Sequence, residues 1–224
     1  MPRIAYTKVL IIDDQPLYTM GLITILESQN KFNIIGVAST NEDAIQIMEK
    51  EKPKVIILEL RLGNENTLEL ITKIKLFNPE IAILILSAND ERFYSERVLR
   101  LGARGYLMKN ADKKTVLEAI YTVMEGKVYL SINERDRILQ AMTGDSSRSA
   151  KDWTVSLQKL SDRELQVFTL IGKGYGTIEI ASRFNISTKT IDSHKEHIKL
   201  KLHCNTSQEL RQLAIEWTNR SGKL

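Results

Sequence analysis

SDRELQVFTLIGKGYGTIEIASRFNISTKTIDSHKEHIKLKLHC, residues Ser161–Cys204, reads as three short helices. Ser161 and Glu164 form an S-x-x-E pair, the pattern of a capping box that starts the first helix. Leu165, Phe168 and Ile171 then recur at helical spacing, and Gly172 and Gly174 end it. Thr177 can cap a second helix, with Ile178 and Ala181 facing a core. Asn185 makes the turn. Ser187 caps a third helix, in which Ile191, Ile198 and Leu202 line one side.

A helix, a tight turn and a second helix is the geometry that lays one helix in the major groove of DNA. At about 100° per residue, Lys189, Ser193, Glu196 and His197 stand opposite the apolar stripe of the third helix, with Asp192 and Lys199 beside them. Base-edge reading needs such a face of donors and acceptors, and plain solvation needs one too. Lys189, Asp192, Ser193 and Glu196 are the base-reading candidates; Thr190, Lys195, Lys199 and Lys201 are the phosphate candidates. The stretch resembles the LuxR-type helix-turn-helix. The shared pattern is L-S-x-R-E at Leu160–Glu164, the glycine turn, E-I-A at Glu179–Ala181, I-S-x-x-T-I at Ile186–Ile191, His194, and K-L at Lys201–Leu202.

The totals agree with a nucleic-acid partner. The net charge is +4, and residues 151–224, with 12 Lys and Arg against 8 Asp and Glu, hold all of it together with the three histidines. With 224 residues, 42% hydrophobic and 27% charged, the chain suits one large or two small globular domains. The single cysteine, Cys204, allows no internal disulfide and sits in no Cys/His ligand pattern. Neither a leader nor a run long enough for a membrane span is seen, so a reducing, cytoplasmic location without a membrane partner is expected.

Residues 1–128 follow another rhythm. Lys8–Ile12, Phe32–Ala38, Lys54–Leu60, Ile81–Leu86 and Gly105–Met108 are short apolar runs, and helical patterns lie between and after them, at 15–29, 41–50, 68–77, 91–101 and 113–125. Apolar runs alternating with amphipathic helices predict an α/β doubly wound, five-stranded parallel sheet of flavodoxin-like type, followed by the small all-α domain. In such sheets ligands bind beyond the carboxyl ends of the strands. The residues there are Asp13, Asp14, Glu59, Ser87 and Lys109. Clustered carboxylates suit a hard cation such as Mg²⁺, with Asp13, Asp14 and Glu59 as the candidate ligands. A carboxylate beside a cation can attack a phosphoryl group, which a hydroxyl and a lysine can hold. Over residues 5–127 this resembles the receiver domain of two-component response regulators, and G-A-R-G-Y-L-M-K places Tyr106 at the family's switch aromatic. The resemblance puts the phospho-accepting aspartate on Glu59. R-L-G-N-E-N-T replaces the M-P-G-x-x-G loop, with Gly63 at the proline position and Thr67 at a glycine position.

The expected division is a receiver at 1–128, a bridging helix and linker at 129–156, and the helix-turn-helix domain at 157–224. Val128–Met142 bridges, with Ile138, Leu139 and Met142 for packing; Thr143–Ala150 is the polar linker; Trp153 and Leu157 can dock on the second domain. Thr206 and Glu209 repeat the capping-box pattern before a fourth helix striped by Leu210, Leu213, Ala214 and Trp217. The resemblance makes Leu210, Leu213 and Trp217 a dimer contact. The whole reads as a NarL/FixJ-type transcriptional regulator that binds double-stranded DNA as a homodimer, is not an enzyme, and needs no cofactor. With Glu59 at the acceptor position, control without aspartyl phosphorylation is expected. A conventional phosphorylation-dependent regulator answering a sensor kinase, a Mg²⁺-dependent phosphohydrolase using Asp13, and a docking protein with a vestigial DNA helix remain the alternatives.

Overall fold

A strand apolar on both sides has no face to offer water, so it settles inside a sheet covered twice. β1 (Thr7–Ile12), β2 (Phe32–Ala38) and β3 (Val55–Leu58) come first, then a two-stranded hairpin of β4 (Arg61–Leu62) and β5 (Glu65–Asn66), then β6 (Ala82–Ser87) and β7 (Gly105–Met108). The sheet is parallel in the order β2-β1-β3-β6-β7, and β3 and β6 are buried along their whole length. Of the 224 residues, the computed structural model describes 6–63, 65–143, 157 and 159–221, without the side chains of 66, 141–143 and 220–221. They form two compact units, within 1–145 and 146–224.

The two-residue period of a strand sorts the core. Leu10, Ile12, Ile56, Leu58, Ile83 and Ile85 point to one face, where α2 (Asn41–Glu51), α3 (Leu68–Phe77) and α4 (Glu91–Arg100) cover them. Val9, Ile11, Val55, Ile57, Leu84 and Leu86 point to the other, under α1 (Pro16–Glu27) and α5 (Lys113–Met124). Asp90 and Asp112 cap α4 and α5 by accepting backbone N–H bonds from Arg92 and Thr115.

Two features differ from the sequence reading here. The loop after β3 is not plain coil but the β4–β5 hairpin, with Gly63 at φ +57° in its bend. The segment read as a bridge is divided. Its helix, α6 (Ile132–Thr143), packs on α4 within the first unit. Ser95 on α4 donates to Glu134 of α6, Ser131 donates to Glu91 at 2.5 Å, and Arg137 donates to Glu134 at 2.7 and 2.8 Å. Ile138 packs against the core while Leu139 is exposed; Thr143, expected to open the linker, ends α6 instead, and the side chain of Met142, the rest of that linker (144–150) and Trp153 lie outside the described residues.

Among the described residues the second unit has α7 (Asp162–Gly172), α8 (Thr177–Phe184), α9 (Thr188–Leu202) and α10 (Ser207–Ser221). Leu165, Phe168, Ile180, Ala181, Ile191, Ile198, Leu210, Ala214 and Trp217 are its core, with the Phe168 and Trp217 rings 5.6 Å apart. The capping box at Ser161 and Glu164 is formed in both directions. Asn185 turns the chain at φ +52°, and Ser187 caps α9. Three details correct the sequence reading. The cap of α8 is Gly176 rather than Thr177, with Glu179 accepting the Gly176 N–H at 2.8 Å. Ile178 is 77% exposed and Leu202 only half-buried; Ile180 occupies the core instead. At the start of α10, Thr206 accepts from Glu209 N, but the Glu209 carboxylate accepts from Asn205 N, one residue before the cap.

Candidate functional site

The parallel ladder continues one step past the strands and lines up the acidic ends. Asp13 N donates to Ala38 O, Glu59 N to Ile12 O and Lys109 N to Ser87 O, each at 2.9 Å. Asp13, Glu59, Ser87 and Lys109 are thereby brought together, and all four side chains are buried. The Lys109 ammonium lies 2.6 Å from Asp13 Oδ2 and 2.9 Å from Glu59 Oε2. Glu59 Oε1 accepts from Ser87 Oγ and, at 2.6 Å, from Leu60 N. Asp13 Oδ1 accepts from Gln15 N at 2.9 Å, and Asp14 Oδ2 from Gly63 N at 2.6 Å.

The donor set Asp13, Asp14 and Glu59 has the hard oxygens a divalent cation takes. In this geometry the positive charge between Asp13 and Glu59 is already supplied by Lys109, and Asp14 is turned to the hairpin. Among the described residues no group of three His, Cys, Asp or Glu side chains has metal-holding geometry. The carboxylates as placed do not fit a cation without moving Lys109.

Tyr106 is fully buried, and its hydroxyl donates to Asn89 O at 2.7 Å; burial pushes that hydroxyl well above its ordinary pKa. Asn89 closes the circuit by donating to Ser87 Oγ through its side chain at 3.0 Å and its backbone at 3.2 Å. Sequence reasoning missed Asn89 and Tyr18, and it noted Thr67 only as a departure from the family's loop, not as a pocket residue. Thr67 is fully buried and donates to Glu59 O at 2.7 Å, which pins the backbone of the pocket glutamate. The Tyr18 ring lies 4.5 Å from the Lys109 ammonium, and its hydroxyl is pushed up to about 12 by burial and by the charges of Asp13 and Glu59. One signal was available: Tyr18 follows the Asp13-Asp14 pair closely and falls in the first turn of α1.

In the second unit, α9 presents Lys189, Thr190, Asp192, Ser193, Glu196 and His197 to the outside. The lysines beside them are engaged. Lys195 donates to Thr177 Oγ1, and its ammonium is 3.9 Å from Asp192; Lys199 pairs with Glu196 at 2.8 Å; Lys201 bonds the buried Glu164 at 2.6 Å. Burial and the neighbouring Arg163 lower the pKa of His194.

Comparison with known proteins follows this division. The pattern described as the response regulator receiver domain matches residues 9–121, and that of bacterial regulatory proteins of the luxR family matches 158–214. The oxygen regulatory protein NreC of Staphylococcus aureus is 35% identical over 210 residues, covering 93% of this chain and 97% of NreC. This chain is a NarL/FixJ-family response regulator. Its fold is that of the RcsB response regulator of Salmonella typhimurium, at a TM-score of 0.69 and 24% identity, covering 95% of this chain and 98% of RcsB. A LuxR-family response regulator from Aurantimonas sp. SI85-9A1 aligns at a TM-score of 0.57 and 19% identity, over 62% of this chain and 99% of its own.

Lys201 ties α9 to α7 through Glu164 while 38% of its side chain stays exposed. Leu210 and Trp217 are 2% and 5% exposed and belong to the core of the second unit; of the three residues assigned to a dimer contact, only Leu213 reaches the surface, and it is half-buried.

Proposed function

We propose that this response regulator is a DNA-binding transcriptional regulator acting as a homodimer on double-stranded DNA, and that its receiver works without aspartyl phosphorylation. The observation that supports the second statement is the state of Glu59. Both of its oxygens are taken, one by Ser87 and Leu60 N, the other by Lys109. Glutamate is one methylene longer than aspartate, so a carboxylate at this position is displaced by about 1.5 Å. A displacement of about 1 Å can cost on the order of 100-fold in rate. The Glu59 carboxylate, held by Lys109, stands where a phosphoryl group would otherwise sit, though with less charge and fewer acceptor oxygens. Mg²⁺ is not required, because Lys109 neutralises the same carboxylates.

The phosphohydrolase reading has little support. Asp13, its candidate nucleophile, is held by Lys109 and Gln15 N. For DNA, the exposed face of α9 supports base reading by Lys189, Asp192, Ser193 and Glu196, and phosphate contacts by Thr190, Lys195 and Lys199. A sensor kinase is a partner only under the phosphorylation-dependent alternative.

The test is to incubate the full chain with acetyl phosphate and Mg²⁺, then measure intact mass, sedimentation and DNA affinity. All three should stay unchanged, while Glu59→Ala should alter DNA affinity without any donor. A stable phosphoryl adduct on the unaltered chain, accompanied by tighter DNA binding, would overturn the reading.

A further inference from the structure

The outward stripe of α6 is unpartnered in the first unit. Glu134 and Ile138 face inward to α4 and the core, with Arg137 half-buried beside them. On the opposite side, Ile132 is 74% exposed, Leu139 is 53% exposed, and Arg135 and Asp136 lie exposed between them. At about 100° per residue, 132, 135, 136 and 139 fall on one stripe roughly half a turn from the side that packs on α4. Two bulky apolar side chains seven residues apart, with one positive and one negative charge between them, are self-complementary in a specific way. A twofold axis crossing the helix midway between Arg135 and Asp136 faces Ile132 with the partner subunit's Leu139. The same axis sets Arg135 against the partner subunit's Asp136, and both contacts occur twice, as a self-complementary twofold interface requires. Neither Arg135 nor Asp136 makes an ion pair with another described residue.

We infer that α6 is a homodimer contact in which two copies pack antiparallel, Ile132 against Leu139 and Arg135 against Asp136. It rests on the homodimer of the proposed function and gives that dimer a surface on the first unit. One helix face is a small interface, so the contact is weak for free chains. It is strengthened when two copies are held side by side on one DNA, because the second contact is then intramolecular. Placed on the last helix of the first unit, it couples dimerisation of the receiver to the segment leading into the DNA-binding domain.

The experiment is sedimentation equilibrium of the full chain at tens of micromolar, with far-UV dichroism as the folding control. All substitutions are at exposed positions. Ile132→Asp should weaken the dimer by about 10-fold or more. Arg135→Asp and Asp136→Arg should each weaken it, because each sets like charges together. The double variant R135D/D136R should restore it, because the pairs re-form with their signs exchanged. Rescue by the double variant is the result that establishes the antiparallel pairing. A wild-type chain monomeric at that concentration, a mass unmoved by Ile132→Asp, or single variants that the double fails to rescue would overturn it. DNA affinity of residues 157–224 alone is the separate readout for the DNA-binding reading, and it does not depend on α6.

Discussion

Lys109 and Glu164 show how single residues set the behaviour of each unit. Lys109 is buried between Asp13 and Glu59, and removing one member of a buried ionic group costs about 3–5 kcal/mol because its partners are left uncompensated. Lys109→Ala should therefore lower the melting temperature of the receiver. It should also raise the affinity for Mg²⁺, read as a melting temperature that rises with Mg²⁺ more in the variant than in the unaltered chain. An unaltered receiver stabilised as strongly by Mg²⁺ would contradict the assignment of that charge to Lys109. In Glu164, burial pushes the carboxyl pKa up, but bonds from Lys201 and Ser161 outweigh it and hold the group below the usual range. A depressed carboxyl contributes stability that is present above its unfolded value, about 4.3, and lost as pH falls through the folded one. Glu164→Gln should remove about 1–3 kcal/mol at neutral pH. Thermal melts of the C-terminal unit between pH 7 and 3 should then show a smaller acid loss than in the unaltered chain. A variant that loses stability in acid as steeply as the parent would show that Lys201 contributes little.

Elements were legible wherever periodicity is long and one-sided. The five strands of the parallel sheet, the five receiver helices and α7 to α10 of the second unit follow from apolar runs and capping residues that any reader of the sequence can place. The misses have a common cause, which is that packing between elements leaves no local period. The β4–β5 hairpin is only two residues per strand and carries no alternation. Ile178 and Ile180 are indistinguishable as apolar letters, and only docking of α8 decides which one is buried. Gly172 reads as a helix stop, and it does end α7, but its stronger role is at a crossing. A Cβ there would overlap Thr218 Oγ1 and the Ala214 carbonyl of α10. Backbone cannot yield as a flexible side chain can, so Gly172→Ala should cost about 1–3 kcal/mol despite the better helix propensity of alanine. Gly174→Ala meets no neighbour but stands at φ +91°, so it should destabilise through strain alone. Chemical denaturation of the two variants separates the causes, since adding Thr218→Ala should relieve part of the Gly172 defect and none of the Gly174 defect.

For the whole molecule, sequence and structure divide the labour in the same way. The receiver is neutral and its chemistry is gathered at the strand ends, which is why Asp13, Glu59, Ser87 and Lys109 were readable as a set before their contacts were known. The DNA face was readable in outline only, because helical spacing gives which residues point outward but not which charges are already paired. The net charge of +4 lies in the C-terminal segment, yet Lys199 and Lys201 are each tied to a carboxylate. That pairing carries the last prediction, on Glu196. It is exposed on the base-reading face and holds Lys199 at 2.8 Å. If Glu196 serves only to restrain Lys199, Glu196→Gln releases a cation toward the phosphates and removes a charge they repel. DNA affinity then rises alike for every sequence, and the salt dependence steepens by about one phosphate contact. If Glu196 instead accepts from a cytosine amino group, the same variant loses discrimination at one base pair, worth about 1–3 kcal/mol, while binding to unrelated DNA changes little. Selection from a random DNA pool, followed by salt titrations on the best and on an unrelated site, tells the two apart. A variant unchanged in both measurements would place Glu196, and with it the central turn of α9, outside the DNA contact.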